Sequence, residues 1–204
     1  LYEFQTMICE LSGMDIANAS LYDGASAIAE ACLLSTSVTR KSTILYSSLL
    51  NEHYIHVMQS YLRGKDINIV ALPMNNGITD LDQITSNIDD LAAVIIQSPN
   101  TLGLLENWEL TKENMTDSNA LLIAVGDPIA LSVLKTPGEC GADIYVGEGQ
   151  TLGNPMNYGG PLLGLMAIKE KYKRRMPGRI IGKTVDKKKN TGFVLTLQTR
   201  EQHI

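Results

Sequence analysis

The sequence predicts a doubly wound α/β fold, with a mostly parallel sheet covered on both faces by helices. Three observations carry this expectation. From about residue 42, short and continuously apolar runs alternate with stretches of helical periodicity, the pattern of βαβ units whose strands are buried on both sides. The chain has 204 residues, 44% of them hydrophobic, which suits one sizeable core and sits near the usual size of a single α/β domain. A long Gly/Pro-rich segment over residues 147–161 joins two apolar runs without a helix, so the second of those strands is expected to reverse direction.

Taken in order, the first helix places Tyr2, Phe4, Ile8 and Leu11 at helical spacing and stops at Gly13. A second helix opens after Asp23 with the small residues Gly24, Ala25, Ser26 and Ala27. Candidate strands cover residues 42–46, 67–72, 92–96, 121–125 and 143–146. Between them, residues 51–62 repeat Tyr54, Val57, Met58 and Tyr61 near helical spacing and end at Gly64. Residues 80–88 carry Leu81, Ile84 and Ile88, and residues 108–115 form a shorter helical pattern. Residues 162–168 and 193–198 complete a set of seven candidate strands, of which 162–168 is the reversed one.

Composition excludes several classes. No stretch approaches the roughly 18 consecutive apolar residues of a membrane span, and nothing resembles a signal peptide. Cys9, Cys32 and Cys140 are far apart and odd in number, which argues for a reducing, cytoplasmic setting over a disulfide framework. The net charge of −5 conceals a split: residues 1–168 carry 6 Lys/Arg against 19 Asp/Glu, whereas residues 169–190 carry 10 against 2. The charges of that segment interrupt an apparent helix and loop without a series of stacking aromatics, Tyr172 being its one ring, so a solvated face or subunit interface is expected in place of a nucleic-acid site.

Few motifs carry chemistry by themselves. The segment Asp23 to Ser26 reads in two ways: as a phosphate cradle, with backbone N–H groups bared by small side chains at a helix N-terminus, or as a plain Asp23 cap with close-packed alanines. Gly147-x-Gly149-x-x-x-Gly153 is a near miss to a dinucleotide fingerprint, but Pro155 and the Gly159-Gly160 pair forbid the helix that would hold a pyrophosphate. His53 and His56 lie three apart beside Glu52 with no evident third ligand, so no metal site is expected. Cys32 sits among helix-packing residues, and no catalytic residue is assigned.

Three long stretches together resemble one family. They are Tyr2-Glu3-Phe4-Gln5-Thr6-Met7-Ile8-Cys9-Glu10-Leu11-Ser12-Gly13-Met14-Asp15 running into Ala17-Asn18-Ala19-Ser20-Leu21-Tyr22-Asp23-Gly24-Ala25-Ser26-Ala27; Val146-Gly147-Glu148-Gly149-Gln150-Thr151-Leu152-Gly153-Asn154-Pro155 with Tyr158-Gly159-Gly160-Pro161; and Met176-Pro177-Gly178-Arg179-Ile180-Ile181-Gly182 leading to residues 192–204. In order, and over nearly the whole chain, they resemble the amino-terminal half of the glycine decarboxylase P-protein of the glycine cleavage system. In bacteria with a split enzyme that half is a separate polypeptide, subunit 1 of glycine dehydrogenase (decarboxylating).

The resemblance implies a three-layer, aspartate-aminotransferase-like large domain with a mostly parallel seven-stranded sheet and one antiparallel strand. Residues 1–204 would form that single large domain, as an excerpt lacking the family's upstream segment and small carboxy-terminal domain. It implies a pyridoxal phosphate enzyme that decarboxylates glycine and passes the aminomethyl group to the lipoyl arm of the H-protein, with subunit 2 as the partner chain. Carried over by position, the cofactor-binding residues are Asp23, Gly24, Ala25 and Ser26 for the phosphate, Asp127 for the pyridinium nitrogen, and Gln150 and Thr151 where the family's catalytic chains place a histidine and the Schiff-base lysine. Residues 136–168 contain no lysine, so these positions read as relics and the cofactor is expected on the partner subunit. Lys135 is the one nearby alternative. The competing readings are a stand-alone pyridoxal phosphate transferase or lyase using a lysine elsewhere, and a non-enzymatic interaction scaffold.

Overall fold

The computed structural model describes residues 1–115 and 118–199, with residues 85–88 and 198–199 described in their backbone alone. Helix α1 (Tyr2–Ser12) ends where Gly13 turns left-handed at φ 67°, a conformation that costs glycine no Cβ clash. The chain then makes a short strand β1 (Ile16–Ala17) and enters α2 (Gly24–Thr39). Next come β2 (Thr43–Ser47), α3 (Glu52–Leu62) and β3 (Asn68–Leu72). A small hairpin of β4 (Met74–Asn75) and β5 (Ile78–Thr79) precedes β6 (Leu91–Gln97), α4 (Trp108–Glu113) and β7 (Leu121–Val125). The remaining strands are β8 (Ile144–Glu148), β9 (Gly164–Ile168), β10 (Gly178–Val185) and β11 (Thr191–Thr199).

Among the described residues, seven strands form one sheet in the order β1-β9-β8-β7-β6-β2-β3. β2, β3, β6, β7 and β8 are parallel neighbours, and β9 runs antiparallel to both β8 and β1. The reversal expected after the glycine loop is therefore present. Side chains alternate between two cores. Val94 and Ile96 of β6 and Leu122 of β7 face one side with Ile8 of α1 and Trp108 of α4. Ala93, Ile95, Leu121 and Ile123 face the other with Ile28 and Leu34 of α2 and Met58 of α3. This is the three-layer arrangement, and double coverage explains why the central strands read as unbroken apolar runs.

Two elements differ from expectation. Residues 193–198 do not join the main sheet: β11 pairs antiparallel with β10 in a separate ribbon, and the seventh strand of the sheet is β1. A two-residue edge strand leaves no periodic trace in sequence, and the apolar run from Phe193 reads the same whether it extends the sheet or pairs in a separate hairpin. Residues 82–90 form a 3₁₀ segment (Asp82–Asp90) in place of the α-helix expected over 80–88. Ile84 is buried as anticipated, while the side chain of Ile88 lies outside the described residues. So do residues 200–204, the end of the third family-like stretch.

The ribbon is tied to the domain by polar contacts that periodicity does not reveal. Gln5 on α1 donates from Nε2 to the Ile181 carbonyl at 3.0 Å and accepts from the Ile181 N–H at 2.9 Å. These bonds fall where the ribbon's register shifts, between Ile180 and Ile181. Tyr2 also packs against Phe193, with ring centroids 5.2 Å apart.

At the opposite end of the strands from the loops described below, Asp143 is buried and receives Lys112 Nζ at 2.6 Å, Tyr172 OH at 3.2 Å and the Leu122 N–H at 3.2 Å. Lys171 and Lys169 stand 3.4 Å and 3.7 Å away. Burial pushes this carboxyl up, but the Lys112 hydrogen bond and charge, aided by Lys169 and the Leu122 N–H, outweigh it and hold the group below the usual carboxylate value. Part of the basic segment thus has a structural task, neutralising one buried carboxylate. His53 and His56 lie on α3, His56 3.9 Å from Glu52, and among the described residues no three His, Cys, Asp or Glu side chains cluster as a metal site. Among those residues, too, no helix is long and apolar enough to cross a membrane.

Candidate functional site

In parallel α/β sheets, ligands gather outside the carboxyl ends of the strands. Here that edge is formed by the ends of β2, β6, β7 and β8 together with the start of α2, and Asp23, Gly24, Ala25, Ser26, Asp127, Gln150 and Thr151 all lie on it. Asp23 caps α2 through a complete capping box: its Oδ1 accepts from the Ser26 N–H at 2.6 Å, and Ser26 Oγ accepts from the Asp23 N–H at 3.1 Å. Ser26 is therefore engaged with the cap. The reading of Asp23 as a cap is realised in this geometry.

Gly24 and Ala25 are buried in the first turn. A Cβ at Gly24 would lie 2.9 Å from Tyr54 OH and 3.2 Å from Glu148 Cβ, so the helix start approaches α3 and β8 closely. The Gly24 N–H is already bonded, donating to Glu148 Oε2 at 2.9 Å. The other oxygen of the same carboxylate accepts from Gln150 N–H at 3.0 Å and from Leu163 N–H at 2.8 Å. Glu148 thus sits on the helix N-terminus and holds both ends of the glycine loop.

Asp127, two residues beyond β7, is exposed; its Oδ1 accepts from the Ile129 N–H at 2.7 Å and from the Thr151 hydroxyl at 3.3 Å. Thr151 and Gln150 stand in a 3₁₀ turn (Gly149–Leu152) directly after β8. Gln150 Nε2 donates across the loop to the Gly159 carbonyl at 2.8 Å. Within the loop Gly160 is at φ 63°, and a Cβ there would run into the Pro155 carbonyl. Met156, Tyr158 and Leu162 point outward, Tyr158 fully exposed.

Electrostatically the site is acidic. Burial first, then the negative charges of Glu148, Asp23 and Asp127, push the Tyr54 phenol up to about 12, so it stays protonated through the physiological range. Lys135, the nearest alternative amine by sequence, is paired with Glu109 at 2.7 Å. The thiols are held protonated as well, burial raising Cys9 to about 11 and Cys140 above its ordinary value. As placed, these residues do not fit a bound phosphate: the Gly24 and Ser26 N–H groups are taken by carboxylates. The structure brings Asp23, Gly24, Ala25 and Ser26 together in one turn, and joins Asp127 to Thr151. It adds Glu148 and Tyr54, which sequence reasoning did not single out; a charge placed between Gly147 and Gly149 was the available signal.

Comparisons with known proteins agree with this architecture. The family profile described as glycine cleavage system P-protein matches residues 1–204. A curated relative in Desulforamulus reducens, "Probable glycine dehydrogenase (decarboxylating) subunit 1", is 52% identical over 100% of this chain and 46% of its own length. The protein of the same description in Desulfitobacterium hafniense is 49% identical over the same shares. A crystal structure of glycine decarboxylase (P-protein) of the glycine cleavage system, in inhibitor-bound form, superposes with TM-score 0.93 and 44% identity over 98% of this chain and 45% of that one. A cystathione gamma lyase from Micromonospora echinospora shares the fold, with TM-score 0.63 and 16% identity over 85% of this chain and 44% of its own. The chain spans about half the length of the curated relatives it matches. Sequence stretches, sheet topology and these likenesses converge on one conclusion: the chain belongs to the glycine cleavage system P-protein family.

Proposed function

We propose that this chain serves as a subunit-1-type part of a split glycine dehydrogenase (decarboxylating), without catalytic activity of its own. In this reading it builds one wall of an active site whose lysine and pyridoxal phosphate belong to subunit 2. The complete cytoplasmic enzyme decarboxylates glycine and delivers the aminomethyl group to the lipoyl arm of the H-protein; pyridoxal phosphate, when bound there, supplies the electron sink for the carbanion. The observation that carries the proposal is the lack of any lysine in residues 136–168; Thr151, which the family resemblance sets at the lysine position, is hydrogen-bonded to Asp127. A Schiff base needs an amine nucleophile at that place. Retention of an ordered glycine loop, with Met156, Tyr158 and Leu162 turned outward, supports its use as a contact surface for the partner.

The test is to titrate the pure full-length chain with pyridoxal phosphate and reduce with borohydride. We expect no stoichiometric covalent adduct and no aldimine absorption band, whereas coexpression with subunit 2 yields a complex that is reduced on the partner chain and exchanges CO2 with glycine. A stoichiometric adduct on the isolated chain, or glycine-dependent exchange without the partner, overturns the proposal in favour of a self-sufficient enzyme.

A further inference from the structure

We infer that Glu148 is an internal anion: its carboxylate occupies the N-terminus of α2 and keeps phosphate-bearing molecules out of this chain's own cleft. The inference goes beyond the division of labour proposed above and rests on it in one respect, that this chain's own cleft holds no pyridoxal phosphate.

The starting point is the helix itself. α2 is 16 residues long, and a helix of that length presents an equivalent of about half a positive charge at its first turn. Gly24, Ala25 and Ser26 bring little or no side chain to cover it. A negative group is therefore stabilised there, and the structure holds one. Glu148 accepts three backbone N–H bonds, from Gly24 at 2.9 Å, Gln150 at 3.0 Å and Leu163 at 2.8 Å. Among the described residues no Lys, Arg or His forms an ion pair with it, since every ion pair of that set lies elsewhere. The charge is balanced by oriented N–H groups alone, the way a bound oxyanion is balanced at a helix start.

Two further observations show that the place is filled. A Cβ at Gly24 would come within 3.3 Å of the Glu148 backbone nitrogen as well as its Cβ, and a Cβ at Gly164 would lie 2.4 Å from the Asp23 carbonyl oxygen, so β8, β9 and the helix start are in mutual contact. The side chains facing the same space, Asp23, Asp127 and the Tyr54 phenol, contribute negative charge or none. A phosphate approaching the Gly24 N–H must displace Glu148 and then meet two more carboxylates.

The probes are inorganic phosphate and pyridoxal phosphate, offered to the full-length chain in equilibrium dialysis, with phosphorus NMR as a second readout. The wild-type chain is expected to show no saturable binding of either. Glu148→Ala is expected to gain saturable binding of both, with a Kd at least about tenfold below the highest concentration at which wild type shows none, because one like charge at close range is gone. Glu148→Gln keeps the shape and serves where the Ala variant does not fold; it should fall between the two. Saturable phosphate binding by the wild-type chain, or folded Glu148 variants that bind no better than wild type, overturns the inference. Either outcome leaves the lysine argument untouched, because that argument is read from covalent reduction and this one from phosphate affinity.

Discussion

Replacing Asp143 by Asn should destabilise the domain far more than any surface change, and the structure sets the size. The carboxylate is 2% exposed and accepts a 2.6 Å bond from Lys112, with two further donors in Tyr172 and Leu122. Breaking a buried pair by removing one charge costs about 3–5 kcal/mol, but Lys112 retains 34% side-chain exposure and regains some hydration once freed. The amide also keeps an acceptor for the Leu122 N–H. We therefore expect a loss of about 3 kcal/mol, near the upper value of a charge-assisted hydrogen bond. For a chain of this size that corresponds to a fall in Tm of about 6–12 °C. The pH dependence follows from the lowered carboxyl. Its contribution is complete above the ordinary, unfolded-state carboxylate value and is lost as pH falls through the lower folded-state value, so wild type and variant should converge in acid. Thermal and urea unfolding of the full-length chain across pH measure both effects. A variant within about 0.5 kcal/mol of wild type at neutral pH, the range of ordinary surface changes, refutes the reasoning.

Other expectations follow from specific contacts. Gly164→Ala puts a Cβ 2.4 Å from the Asp23 carbonyl oxygen, and because backbone must move to admit it, a loss of about 1–3 kcal/mol is expected in urea unfolding. Gln5→Ala removes two hydrogen bonds to Ile181, about 1 kcal/mol each; hydrogen exchange should accelerate at Ile181 and along the β10–β11 ribbon while the central sheet stays protected. Tyr54 should titrate near 12 by ultraviolet difference spectroscopy, and Glu148→Gln should lower that value only in part, since burial outranks the carboxylate as its cause; an unchanged value would show that the two groups are not neighbours in solution.

Read as sequence alone, the chain already declared its layered α/β character, because strands buried on both faces must be apolar at every position and helices between them must carry a stripe. β6 and β7 show this directly: their residues divide between the two cores with almost no polar break. The reversed strand was legible as well, since a loop dense in glycine and proline cannot form a crossover helix. Family membership was legible from three long stretches whose order leaves little room for chance. What sequence could not supply was pairing between distant and short elements. β1 is two residues long and has no pattern, and whether β11 extends the sheet or pairs with β10 depends on where the chain travels after β9, not on its own apolar run.

The site divides along the same line. Asp23, Gly24, Ala25, Ser26, Asp127, Gln150 and Thr151 could be named by position, and the lack of a lysine over residues 136–168 is a fact of sequence. That Glu148 fills the α2 terminus, 124 residues away along the chain, was decided only by tertiary structure. The Gln150 bond is local, two residues along the chain, but the Gly24 and Leu163 N–H groups come from the start of α2 and the far end of the glycine loop, which only the closed sheet brings within hydrogen-bonding distance.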